Sequence, residues 1–144
     1  RNWVKEFMAT NLSYYPMERA KMIAAGFGFR TSATFESFKS AFEKTISADE
    51  LFKLAVIAVP QDKVNHKSLI FFAKEIGCEI WGVKPLDIER MQTKTYSYIS
   101  KRFRNTGSVS EACALVAAGS EAELVVSREI SIDRRATCSL AKGK

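Results

Sequence analysis

Met22-Ile-Ala-Ala-Gly-Phe-Gly-Phe29 is a short apolar run that closes on two glycines. Its length and its lack of alternation fit a strand buried on both faces, and its exit loop needs a backbone that glycine permits. The segment Arg30-Thr-Ser-Ala-Thr34 follows, and then Phe35, Phe38, Ala41, Phe42 and Ile46. Apolar positions three and four apart mark one face of a helix, here with a hydroxyl cap at its start. A buried strand followed by an amphipathic helix is the first half of a β-α-β unit, so a parallel sheet is expected.

Working outward, the pattern repeats. Ser47-Ala-Asp-Glu50 has the form of a capping box and predicts one helical turn. Leu54 to Val59 is a second buried strand closed by Pro60. Asn65 can cap a helix with Leu69, Phe72, Ala73 and Ile76 on one face and Gly77 as its stop. Glu79 to Val83 is a third strand, ended by Pro85. Leu86 to Met91 reads as a short helix or turn. Gln92 to Arg104 reads as a less regular basic stretch with Tyr96, Tyr98 and Phe103 interleaved. Val109 to Ala118 is a helix, and Glu123 to Ser127 and Ala136 to Ala141 are two last strands, close enough in sequence to pair directly. The expected fold is a three-layer α/β/α sandwich around a mainly parallel sheet of about five strands, mixed if the last two pair. Residues 1–21 lack either period and are expected to be an extension, loosely ordered or partly docked, ahead of a domain spanning 22–144.

Composition narrows the function. The chain has 144 residues, 22 Lys and Arg against 16 Asp and Glu, and a net charge of +6. That excess suits an anionic partner without choosing among them. The 3 Cys form no C-x-x-C pair and there is 1 His, so a Cys/His zinc site is excluded and no metal or cofactor is expected. Cys78, Cys113 and Cys138 lie in apolar sequence and read as reduced thiols of a cytoplasmic protein. No apolar run reaches the roughly 18 residues of a membrane span, and no secretory signal pattern is seen.

In open α/β sheets, ligands bind beyond the carboxyl ends of the strands. Three loops are expected there: Gly26 to Ser32, Pro60 to His66, and Arg104 to Ser108. Each leads into a helix N-terminus, which favours anions, and each brings a cation, Arg30, Lys63, and Arg102 or Arg104. The candidate ligand-binding residues are therefore Gly26, Gly28, Arg30, Thr31, Ser32, Lys63, Gly107 and Ser108. Gly26-x-Gly28 also reads as close packing of helix on strand, because the dinucleotide fingerprint lacks its third glycine and no Walker motif follows. Ser108-Val-Ser-Glu111 fits a capping box, and a carboxylate such as Glu111 at a helix start could also serve as a general base or ligand hook. His66 is the second catalytic candidate, set against a solvated ring on a first helical turn. Binding of nucleotide or nucleic acid is a rival reading that no recognisable motif supports.

These loops carry a resemblance. Gly26-Phe-Gly-Phe-Arg-Thr-Ser32, Lys63 after a buried strand, Leu69 in the next helix, and Gly107-Ser-Val-Ser-Glu-Ala-Cys-Ala-Leu115 resemble the CobE family, which is also the C-terminal domain of CbiG. The final strand, Ala136-Thr-Cys-Ser-Leu-Ala141, fits it too, and the resemblance covers about residues 22 to 141. This chain departs from the pattern at Phe29, where a Cys is usual, at Asn65 and His66, where Asp and Glu are usual, and at Ser68, where a Gly is usual. The resemblance implies cobalamin biosynthesis, a precorrin or other tetrapyrrole as ligand, and other pathway enzymes as partners. CbiG proteins are linked with opening a lactone on cobalt-precorrin-5A and carry a further N-terminal domain. A chain of this length is expected to be the stand-alone form. Whether it carries the intermediate or hydrolyses it stays open at this point.

Overall fold

The computed structural model describes residues 22–51, 53–99 and 108–143. The expected extension at 1–21, Gly107, and the basic segment from 100 to 107 lie outside the described residues. Strands β1 (Ile23–Phe29), β2 (Leu54–Pro60), β3 (Glu79–Val83), β4 (Glu123–Ile130) and β5 (Ala136–Lys142) form one sheet in the order β3-β2-β1-β5-β4. The pairs β1–β2 and β2–β3 are parallel. β5 runs antiparallel to both β1 and β4, so the sheet is mixed and its last strand lies inside it.

Alternation along β1 sorts the two faces. Ala25 and Phe27 point toward α1 (Phe35–Glu43) and α3 (Lys67–Ile76), joined by the single turn α2 (Ala48–Leu51) and β2. Phe27 lies 5.7 Å from the rings of both Phe38 and Phe72, edge to face in each case. Each such pair contributes about 0.5–1.5 kcal/mol beyond the area it buries. The other face is covered by α4 (Pro85–Ile99) and α5 (Val109–Ala118), which bury Ile88, Ala112 and Cys113 against Ala58 and Val83.

Gly26 lies under α5. A Cβ there would strike the Ser110 carbonyl oxygen and the backbone of Ala114, so the glycine is what lets this helix press onto the strand.

Local signals hold in most places. Thr34 caps α1 in a capping box with Ser37, and Ser47 and Glu50 cap α2 reciprocally. Gly77 ends α3 at φ 74°. Two details differ. α4 runs to Ile99 instead of stopping near Met91. Pro85 starts it where its missing N–H costs nothing, and no glycine or proline interrupts residues 86–99, so each added residue gains a backbone hydrogen bond. The cap of α3 is His66, not Asn65. Among the described residues, no helix is long and apolar enough to cross a membrane.

Candidate functional site

The carboxyl ends of β1 and β2, the start of α5 and the β4–β5 turn meet at one edge of the sheet. They enclose a cavity of about 350 Å³, within the range of small-molecule sites. Arg30, Lys63, Arg128, Arg134 and Arg135 line it, and among the described residues no acidic one does. Phe29, Pro60, Val109 and Ala136 supply its apolar wall.

Lys63 is held in place by its neighbours. Its Nζ donates to the Phe29 carbonyl at 2.8 Å and lies 5.2 Å from the centre of the Phe29 ring. An ammonium has three donors, so this bond directs Lys63 without exhausting it.

Ser108 caps α5, its Oγ accepting the Glu111 N–H at 3.2 Å. Glu111 does not close a capping box. Its Oε2 accepts the Arg128 N–H at 3.0 Å. The reason lies in β4, whose register against β5 slips between Val126 and Glu129. Such a bulge takes a residue out of regular pairing and re-aims its side chain. Arg128 lies within that irregular stretch and lines the cleft, while Glu111 accepts its N–H.

Arg30 follows β1 directly, and Arg134 and Arg135 come from the β4–β5 turn. Asp133 Oδ2 accepts from Ser37 Oγ at 2.6 Å, and Oδ1 accepts from Ser131 Oγ at 2.7 Å and the Arg135 N–H at 3.1 Å. The Ser37 hydroxyl first, then Ser131, the Arg135 N–H and the Arg135 charge, hold the Asp133 carboxyl below its usual range, against the opposing effect of partial desolvation. Arg135 Nη1 donates to the Ser32 carbonyl at 3.4 Å.

Of the residues singled out from sequence, Gly28, Arg30, Lys63 and Ser108 line the cavity. Gly26 lies deeper, under α5. Thr31 and Ser32 contribute carbonyls, to His66 and Arg135. His66 Nδ1 accepts the Leu69 N–H at 3.4 Å. That places the ring proton on Nε2, which donates to the Thr31 carbonyl at 2.9 Å. The ring thus ties α3 to the exit of β1. Gly107 lies outside the described residues.

Arg128, Arg134, Arg135 and Thr137 were not singled out. The charged run Asp133-Arg-Arg135 was the available signal, but its place depends on β5 inserting beside β1.

The cysteines take no part. Burial pushes the thiols of Cys113 and Cys138 up to about 12, and that of Cys78 to about 11. They stay protonated and are poor nucleophiles.

The family described as cobalamin synthesis G C-terminus matches residues 23–141. The chain belongs to this family. Among solved structures, CobE, a protein from the cobalamin (vitamin B12) biosynthetic pathway, superposes with a TM-score of 0.69 at 23% identity, over 88% of this chain and 94% of that one. The cobalamin biosynthesis protein ChiG from Agrobacterium tumefaciens gives 0.66 at 26% identity, over 85% and 99%. A putative cobalamin biosynthesis protein G homolog from Sulfolobus solfataricus gives 0.59 at 18% identity, where 85% of this chain matches 37% of that one. No curated protein matches. This cobalamin-biosynthesis family membership is consistent with the expected α/β fold and with the loops that carried the resemblance.

Proposed function

We propose that this member of the family binds a precorrin, or a related tetrapyrrole intermediate, at the cationic edge of its sheet, as a carrier or as an accessory of a pathway enzyme. One observation carries the reading: among the described residues, five cations and no carboxylate line a single cleft whose remaining wall is mostly apolar, with the hydroxyls of Ser108 and Thr137. A precorrin is a broad, partly apolar ring fringed with carboxylates, and guanidinium groups pair with carboxylates through two parallel hydrogen bonds. The cavity is smaller than such a ring, so the carboxylate fringe enters and the rest of the macrocycle lies over the rim. Both His66 nitrogens and one Glu111 oxygen already serve the backbone, which favours binding over proton transfer.

The test is titration with uroporphyrin, a tetrapyrrole bearing eight carboxylates, followed by absorbance. Arg30→Ala and Arg128→Ala are each expected to weaken binding about ten- to a hundredfold, the loss of one charge-assisted contact. Affinity should also fall as salt rises. Wild-type affinity that ignores both substitutions would refute the reading. Pigment co-purifying from cells that make precorrins would identify the natural ligand.

A further inference from the structure

Asp133 is an anomaly next to a cleft suited to anions, whose lining includes its neighbours Arg134 and Arg135 but not Asp133 itself. It stands in the turn beside Arg134 and Arg135, where a negative charge opposes the binding of carboxylates. Three donors hold it nonetheless: Ser37 Oγ from α1, Ser131 Oγ, and the Arg135 N–H. Ser37 is completely buried, so the link reaches from an exposed turn into the packed body of the domain.

Ser131 extends the frame. Its Oγ accepts the N–H groups of both Arg135 and Ala136 at 3.1 Å. Just ahead of them, Arg134 has φ 63°, the left-handed region that residues with side chains rarely occupy. Its N–H donates to the Ser131 carbonyl at 2.9 Å. A backbone in that region persists when the surrounding contacts over-determine it.

We propose that Asp133 is a positioning residue: its carboxylate, held by Ser37, Ser131 and the Arg135 N–H, fixes the turn that delivers Arg134 and Arg135 to the cleft. The inference rests on the anion-binding reading above and adds to it the part that sets the geometry. It makes a prediction of opposite sign to simple electrostatics. Removing a negative charge near the site should tighten anion binding by Coulomb attraction alone. Removing the frame should weaken it.

The experiment compares the full chain with Asp133→Asn, using uroporphyrin as the probe and amide hydrogen exchange as a readout that needs no ligand. The asparagine keeps the size but exchanges one acceptor oxygen for an NH2 group, which cannot accept from a serine hydroxyl. Asp133→Asn should weaken uroporphyrin binding about tenfold. In an Arg134→Ala/Arg135→Ala background the same change should alter affinity by less than about twofold, because its effect runs through those side chains. Exchange at the Arg135 and Ala136 amides should accelerate at least about tenfold, with Phe27 and Leu140 unchanged. Equal or tighter binding by Asp133→Asn, while Arg30→Ala and Arg128→Ala still weaken it, would overturn this proposal alone. Unchanged exchange at Arg135 and Ala136 would overturn it whatever the ligand data show. A wild-type protein that does not bind uroporphyrin would remove the cleft reading and this proposal with it.

Discussion

Glu111 Oε2 accepts the backbone N–H of Arg128 at 3.0 Å and so joins the first turn of α5 to the irregular stretch of β4. The contact uses the carboxylate as a hydrogen-bond acceptor for the main chain. It also fixes the backbone from which one of the five cleft cations projects.

A substitution separates that role from catalysis. Glu111→Gln keeps an acceptor oxygen in the same place, so stability and uroporphyrin affinity should stay within about twofold of wild type. Glu111→Ala leaves the Arg128 N–H without this partner and should cost about 1 kcal/mol in chemical denaturation, with weaker binding. A Glu111→Gln protein that folds and binds normally, yet has lost a measurable conversion of a precorrin, would instead make Glu111 a general base.

Gly26 and Gly28 should respond differently to alanine. At Gly26 the new methyl meets backbone atoms of Ser110 and Ala114, which move only if α5 moves. Thermal and denaturant unfolding should show a loss of about 1–3 kcal/mol, the usual cost of overpacking. At Gly28 the nearest atoms are Thr137 Oγ1 at 3.2 Å, a hydroxyl that can give by a few tenths of an ångström, and Val109 Cβ at 3.4 Å, an ordinary van der Waals distance. The loss there should be smaller, and it should fall more on ligand affinity, because Gly28 lines the cleft.

The Asp133 frame has a pH signature. Its carboxyl is held below the usual range in the folded protein, chiefly by the Ser37 hydroxyl, against about 3.9 when unfolded. Its stabilising effect is therefore complete above the unfolded value and is lost as pH falls through the folded one. Wild type should be more stable than Asp133→Asn by a constant margin from pH 7 to about pH 5, and that margin should close below about pH 4. A margin that widens on acidification would contradict the assignment. Thermal melts of both proteins across that range decide it.

Much of the fold was legible because each early element carries its own local marker. Thr34 before an apolar helical face, Gly77 after one, and two apolar strands of matching length need no distant partner to be read. Arg30, Lys63 and Ser108 were legible for the same reason: each stands shortly before a helix or caps its first turn. The extension of α4 beyond Met91 was hidden by a run of Thr, Tyr and Ser that weakens helical propensity without stopping a helix. The cap at His66 was hidden because a ring nitrogen can do what the neighbouring Asn65 is better known for. Arg128, Arg134 and Arg135 were illegible for a deeper reason. Their place at the cleft follows from the register slip in β4 and from the insertion of β5 beside β1, and both are settled by pairing across the whole sheet.

That insertion sets the order in which the protein can be made. Thr137 and Gly28 lie side by side, with the Thr137 hydroxyl bonded to the Gly28 carbonyl, yet 109 positions separate them along the chain. Of the strands in this sheet, β1 is the first to leave the ribosome, and β5, which completes its other side, is the last. Until then β1 presents an open row of backbone donors and acceptors, a surface prone to pairing with the wrong chain. The cleft is thus completed only after every strand of the sheet has been made. Arg128, Arg134 and Arg135 arrive with the β4–β5 hairpin, so a nascent chain cannot acquire the finished site before its sheet is closed.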